Sequence, residues 1–528
     1  MTSPESSSES KSGGAPTLNR RSLISGGALT AAASGAALFL DPLTFAAAAP
    51  AAGPTTKTIT GHLDTGCADW IYLPVDVPAG VQQIAVSYTY DRPAVPAGVH
   101  GNSCDIGIFD NRGIALGSDG FRGWSGGFRT EFAISNDAAT PGYLPGRVSK
   151  GRWHVILGPY QVAPQGLTYS VTVTLTYGPP GPGFQPHYPR QRVAGTGVGW
   201  YRGDCHLHTV HSDGRRTPAE VAAGARAAGL DFIVSTDHNT SSSHGAWGPL
   251  AGDDLLIITG EEITSRNGHV LALGIDPGEW VDWRYRSVDG VWGRFVQQVH
   301  DAGGLVVPAH PYCAFVGCYW KFGFDEPVDA VEVWNGPWTV DDDTAILLWD
   351  GMLVDGVRRG ATGFLPAMAN SDAHSDPQVI GLPQTIVRAA SKSRSAILAG
   401  LRAGRSWMAE SSAVQVDFTV AGGGQTGHVG DRLAVGRFTP LTASVAVSGV
   451  PNGVIRFIGD EGQMQQTQLD ASGAGTASMA ATASLCAYLR IEVRHPRPDG
   501  SAGNGNGMGT DIQLGPLAAL TNPIFLGK

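Results

Sequence analysis

Two rhythms of hydrophobic and polar positions divide the chain. Between residues 54 and 178, short runs such as QQIAVSYTY, RWHVILGPY and LTYSVTVTLTY alternate apolar and polar side chains, broken by Gly and Pro turns. A period of two sends successive side chains to opposite faces of a strand, so this region predicts a β-sandwich without helices. GPPGPGFQPHYP then opens a Pro/Gly linker, residues 179–194.

From 195 to 411 strand-like and helix-like runs take turns. TPAEVAAGARAAG carries a helix start, with Thr217 as N-cap, Pro218 at the first helical position and Glu220 closing a capping box. Apolar strands ending in polar residues follow: DFIVSTDH, LLIITGEEIT, HVLALGI, LVVPAHP, AVEVWNG and LPAMANSDAH, with helical patterns between several of them. Strands alternating with helices predict parallel pairing, hence an α/β domain that is either a βα barrel or a doubly wound sheet. From 412 to 528 the runs VQVDFTV, TASVAVSG and AYLRIEVRH read as a second β-sandwich, carrying a flexible Gly-rich loop at 499–511.

Composition narrows the function. The 528 residues suffice for about three to four domains. A net charge of −10 argues against a general nucleic-acid binder, which needs a basic surface. A metal cluster would offset part of that charge locally, so a small anionic substrate is the expected partner. Residues 1–53 read as a twin-arginine export signal: a polar lead, Arg20 and Arg21, an Ala- and Gly-rich apolar run, and small residues at Ala46 to Ala49 for cleavage. The expected destination is secreted or cell-envelope, reached through the twin-arginine machinery. No other segment reaches the roughly 18 apolar residues of a membrane span. Six cysteines then enter an oxidising compartment, and Cys67 with Cys104 and Cys313 with Cys318 are close enough in sequence to pair.

Histidines and carboxylates recur where apolar strands of the middle region end: His206, His208 and Asp213, then His238, Glu262, His269, His310, Asp372 and His374. In a parallel βα barrel those ends converge on one mouth, so nine potential metal ligands aim at one place. Cys205, between two of them, faces the other side of its strand and reads as packing. Glu261 and Glu262 alternate likewise, so only one faces the ligands. Asp204 and Asp237 stand where they could orient ligands from behind. His211 could compete as a ligand or contact substrate. Arg266 and Lys321 either neutralise an anionic substrate or are surface charges, and Asn335 either contacts substrate or caps.

The order DCHLHT…SDG…TDH…GEEIT…GHV…AHP…SDAH resembles the PHP (polymerase and histidinol phosphatase) superfamily, and within it the CehA/McbA-like metallohydrolases, over residues 200 to 410; the ending ALTNPIFL is also similar to the CehA-like subgroup. The resemblance implies a distorted (βα)7 barrel with two or three divalent metals, Zn, Mn or Fe. It implies one metal on His206, His208, Glu262 and Asp372, a second on Glu262, His269 and His310, and a third on Asp213, His238 and His374. Glu262 would bridge the first two, and Glu262, Asp372 and His310 would be the catalytic residues. The implied activity is a metal-dependent phosphoesterase that attacks with a water shared between two metals. Carboxylic ester or carbamate hydrolysis suits the same centre. An alternative of another class is a non-catalytic protein that binds polysaccharide or envelope through Trp70, Trp124 and Trp153 on its sandwiches.

Overall fold

The computed structural model describes residues 53–324, 326–496 and 515–527. The export signal, save residue 53, and the Gly-rich loop at 499–511 lie outside the described residues.

The first region contains two antiparallel four-stranded sheets. One orders Thr55–Leu63, Leu167–Tyr177, Val81–Tyr90 and Glu131–Ser135; the other orders Ile71–Val77, Gly151–Gln161, Ser103–Phe109 and Phe121–Trp124. Alternate residues of both, among them Ile84, Val86, Ile106, Val155, Leu157 and Val171, share one buried core, as the period of two requires.

Two expectations fail here. Trp153 and Trp124 are buried rather than exposed. Trp153 donates its indole N–H to the Ser149 carbonyl under the Arg122 guanidinium, and Trp124 packs against Trp70 and Trp283. Neither offers a stacking surface to a polysaccharide, and Trp70 is half-buried. Cys67 and Cys104 are both free: Cys104 points into the core, its sulfur facing the Asp105 carbonyl at 3.7 Å, while Cys67 packs at that core's edge. Cys313 and Cys318 do form a disulfide.

In the middle region we number the elements β1 (Gly199–Asp204), α1 (Pro218–Ala227), β2 (Phe232–Ser235), β3 (Leu256–Ser265), β4 (Gly268–Leu273), α2 (Trp292–Asp301), β5 (Leu305–Ala309), β6 (Val331–Asn335), α3 (Val340–Arg358), β7 (Ala367–Asn370), β8 (Gln384–Ala389), α4 (Arg394–Arg402) and β9 (Ser406–Ala409). The capping box at Thr217 and Glu220 is formed. Strands β1, β2 and β3 pair in parallel, as do β6 and β7. The other pairs, β3 with β4, β4 with β5, β8 with β1 and β8 with β9, are antiparallel, so the sheet is mixed where a parallel one was expected. The cause is local for β3 and β4. Only Arg266 and Asn267 separate them, and a two-residue connection permits only a hairpin.

The sheet does not stop at residue 411. Strand β9 pairs with β10 (Leu517–Thr521), and the sheet runs on through Tyr488–Arg494, Val454–Gly459 and Gly462–Gln468. A separate four-stranded sheet faces it across a core that includes Phe418, Val445, Ile455, Phe457 and Ile491.

A further apolar cluster fastens the first region to the middle one. Phe109, Phe121, Trp124 and Ile156 pack against Ile263, Val270, Trp283 and Phe295, so three of the N-terminal strands back directly onto the β3–β4 hairpin that carries Glu262 and His269. Among the described residues, no helix is long and apolar enough to cross a membrane.

Candidate metal centre

Each strand end delivers its polar residues to one point. His206 and His208 follow β1, His238 follows β2, Glu262 and His269 face one another across the β3–β4 hairpin, His310 ends β5, and Asp372 and His374 follow β7. The backbone bends sharply to do this. His310 and Asp372 adopt positive φ values of 28° and 49°, where side chains other than Gly are uncommon and are held only by a well-determined surrounding.

The tightest group is a quartet. His206 Nε2 lies 3.1 Å from Glu262 Oε2 and 3.2 Å from Asp372 Oδ1, and His208 Nε2 lies 3.2 Å and 3.0 Å from the same two atoms. All four atoms are buried and none has a hydrogen-bond partner. Four orphaned polar atoms at one point contradict the rule that buried polar groups are satisfied, unless a cation completes them. Their spacing suits one: donors about 2.1 Å from an ion stand about 3.0 Å apart in octahedral and about 3.4 Å apart in tetrahedral arrangement.

Glu262 turns its other oxygen elsewhere. Oε1 lies 2.9 Å from His269 Nδ1 and 3.2 Å from His310 Nε2. One carboxylate thus gives one oxygen to each of two groups, the placement a bridging ligand needs. Asp213 Oδ1 gathers the remainder, 3.2 Å from His374 Nε2 and 3.5 Å from His238 Nε2, with His208 within ligand reach of the same set. The groups are therefore not independent, because His208 touches two of them and His238 Nδ1 lies 2.9 Å from Glu262 Oε2. Cys318 also stands near His269 and His310, but its sulfur is held in the disulfide.

The electrostatics ask for positive charge. Burial alone would raise the Glu262 and Asp372 carboxyls, yet the surrounding imidazoles hold both well below the usual range. The same pull, acting against burial, raises His238 to about 10 through Glu262 and Asp213. Glu261 shows the contrast. It faces the opposite side of β3, accepts the Val281 N–H at 2.9 Å, and burial pushes its carboxyl well above the usual value.

Behind the ligand atoms stands Glu332, which the pattern of polar residues at strand ends does not single out. Its carboxylate lies 3.1 Å from His206 Nδ1 and accepts from the His310 N–H at 2.9 Å, Asn370 Nδ2 at 2.8 Å and Asn335 Nδ2 at 3.0 Å. Asn335 also donates to Asp372 Oδ2 at 3.3 Å. The only signal in the sequence is a lone carboxylate inside the apolar run AVEVW. Asp204 and Asp237 shape loops and touch no ligand imidazole: Asp204 accepts from Ser371, Gly381 and the His206 N–H, and Asp237 from Thr209 and Ser212.

Two of the remaining candidates, His211 and Lys321, stand away from the cluster, whereas Arg266 lines a cavity beside His238 and His269. His211 faces Ser242 Oγ at 2.9 Å. Lys321 lies over the Tyr319 ring, 3.9 Å from its centroid, and lines neither cavity at the cluster. Arg266 donates to the backbone carbonyls of Pro159 and Tyr160 and ion-pairs with Asp69. Cys205 is fully buried beside Phe232, Val234 and Leu256.

Two cavities open onto the cluster, one of about 470 Å³ reaching Glu262, His310 and Asp372, the other of about 350 Å³ reaching Asp213, His238 and His269.

No family model matches the chain. An uncharacterized protein of Methanocaldococcus jannaschii is 23% identical over 154 residues, which is 25% of this chain and 81% of that protein. Among solved structures, a two-domain protein of Bacteroides vulgatus, described as containing a predicted PHP-like metal-dependent phosphoesterase, is 14% identical with a TM-score of 0.34, covering 65% of this chain and all of that one. An amidohydrolase of Chromobacterium violaceum is 20% identical with a TM-score of 0.25, covering 34% of this chain and 89% of that one.

Proposed function

We propose that this chain is an exported metal-dependent hydrolase holding two or three divalent ions, and that it cleaves a phosphoester. The observation that carries the reading is the quartet of buried, unpartnered atoms on His206, His208, Glu262 and Asp372. Nitrogen and oxygen donors of this kind suit Zn, Mn or Fe. Bound there, such ions supply Lewis acidity toward the scissile group and lower the pKa of a water.

The chain's own residues prepare the site. Glu332 accepts the Nδ1 proton of His206 and so leaves Nε2 free to ligate. Asn335 ties down Oδ2 of Asp372 and leaves Oδ1 turned to the quartet. The order of the ligand motifs, which resembles the PHP superfamily, supports the phosphoester. The paired Arg20 and Arg21 ahead of an apolar run support export, and replacing both by Lys should leave precursor in the cytoplasm.

One observation favours hydrolysis of a carboxylic ester or carbamate as a second reading. Among the described residues, no Lys or Arg lines the larger cavity, so a phosphoester's charge there would fall to the metals alone. Elemental analysis of protein produced with Mn, Fe and Zn supplied, followed by assays with p-nitrophenyl phosphate, bis(p-nitrophenyl) phosphate and p-nitrophenyl acetate, separates the two. Chelator-sensitive turnover of either phosphate supports the first reading. Turnover of the acetate alone supports the second, and less than one ion per chain contradicts both.

A further inference from the structure

The smaller cavity is built by two parts of the chain. Its floor is Asp213, His238 and His269 of the metal centre, and its walls are Trp70, Tyr160 and Phe128 from the N-terminal sheets. Phe128, 42% exposed, lines the same cavity as Phe315, 81% exposed, which sits on the loop that the Cys313–Cys318 disulfide closes. The Tyr160 hydroxyl donates to the Val316 carbonyl and ties that loop to the N-terminal region.

Into this aromatic cavity projects Asp105, from the strand Ser103–Phe109. None of the hydrogen bonds among the described residues reaches its carboxylate, and burial pushes it up to about 7 in spite of Arg266 and His238 nearby. Ionised, this carboxyl accepts, and protonated it also donates, so a hydroxyl, which does both, partners either form.

We propose that this cavity is the subsite for a neutral, hydroxylated ring, a pyranose or cyclic polyol, whose hydroxyls hydrogen-bond to Asp105 while its C–H face lies on the aromatic walls. Such a ring is apolar on its faces and polar at its edge, which is the pattern of the cavity. Cations fit poorly, because the Arg266 guanidinium already lies over Trp70 at 5.5 Å and Tyr160 at 5.2 Å and repels a second positive charge. Anions meet Asp105, and the Arg266 charge is already opposed by Asp69, with its two terminal nitrogens donating to the Tyr160 and Pro159 carbonyls. An unsubstituted aryl group would leave the Asp105 carboxylate without a donor. That the ring belongs to a substrate rests on the hydrolase reading, since the shared floor places it beside the metal centre; that the ring binds does not.

The test is calorimetric titration of the metal-loaded protein with methyl β-glucoside, myo-inositol, choline and benzyl alcohol. The proposal expects binding of at least one of the two polyols, with choline and benzyl alcohol weaker. Asp105→Ala should weaken the polyol at least tenfold with metal content unchanged. Phe128→Ala, at an exposed position, should also weaken it and guards against a misfolded Asp105 variant. Preference for choline or benzyl alcohol, binding of none of the four, or polyol binding that neither variant weakens overturns the subsite. Polyol binding in a protein that turns over no ester upholds the subsite and removes the hydrolase reading instead.

Discussion

The Glu332 carboxylate accepts from His206 at 3.1 Å, on the ring nitrogen opposite the one that faces Glu262 and Asp372. That bond fixes the tautomer, so the readiness of His206 as a ligand depends on the carboxylate behind its ring. Glu332→Gln places an amide N–H₂ where four donors already point. Metal affinity should fall by about 10- to 100-fold with the fold retained, checked by competition with a chromophoric chelator and by circular dichroism. Unchanged affinity would mean that His206 is oriented by packing alone.

Cys205 sits in the core under β1, away from the ligands. Cys205→Ala removes one buried sulfur and should cost about 1 kcal/mol of stability while keeping metal content and turnover. Denaturant unfolding and elemental analysis check both halves, and metal loss from a folded variant would mean that the strand is registered differently.

His244 gives a pH dependence outside the ligand set. It is buried, with Nε2 facing the Gly260 carbonyl at 2.9 Å and Nδ1 accepting from the Gly278 N–H at 3.0 Å. Burial lowers it to about 4 from the ordinary 6.5. The unfolded chain therefore takes up this proton first as pH falls, and stability present above pH 6.5 is lost between there and about 4, by about 3 kcal/mol at most. Gln keeps a donor and an acceptor without titrating, so His244→Gln should lose less stability than the parent between pH 7 and 4. Equal losses in thermal melts would show that His244 does not carry this dependence.

The candidate site was more legible in the sequence than the fold around it, for physical reasons. His206, His208, Glu262, His310 and Asp372 announce themselves because a polar residue that ends an apolar strand needs a reason to be there. Glu332 did not, since beyond Asn335 and His310 its partners lie 38 residues away at Asn370 and 126 away at His206, and no local pattern brings those together. The alternation of strands with helices points to parallel pairing throughout, whereas the two-residue connection at Arg266 and Asn267 forces β3 and β4 into an antiparallel hairpin. Trp124 and Trp153 read as exposed because the sequence does not show what covers them, here Trp283 and Arg122.

The central claim is that Glu262 serves two groups of ligands while its neighbour Glu261 serves none. Glu261 is a buried carboxyl pushed toward its neutral form, so Glu261→Gln is close to isosteric in shape and charge. Glu262→Gln replaces a carboxylate facing four imidazoles of the two groups with an amide, which cannot supply the lost charge. Because His208 and His238 connect the third group to the first, its ion should weaken as well, though less. The decisive measurement is metal content per folded chain of the two variants side by side. The account predicts that Glu261→Gln retains the parent's ions and that Glu262→Gln loses at least the two that share this carboxylate; a metal-poor Glu261→Gln beside a fully loaded Glu262→Gln, or full loading of both, would contradict it.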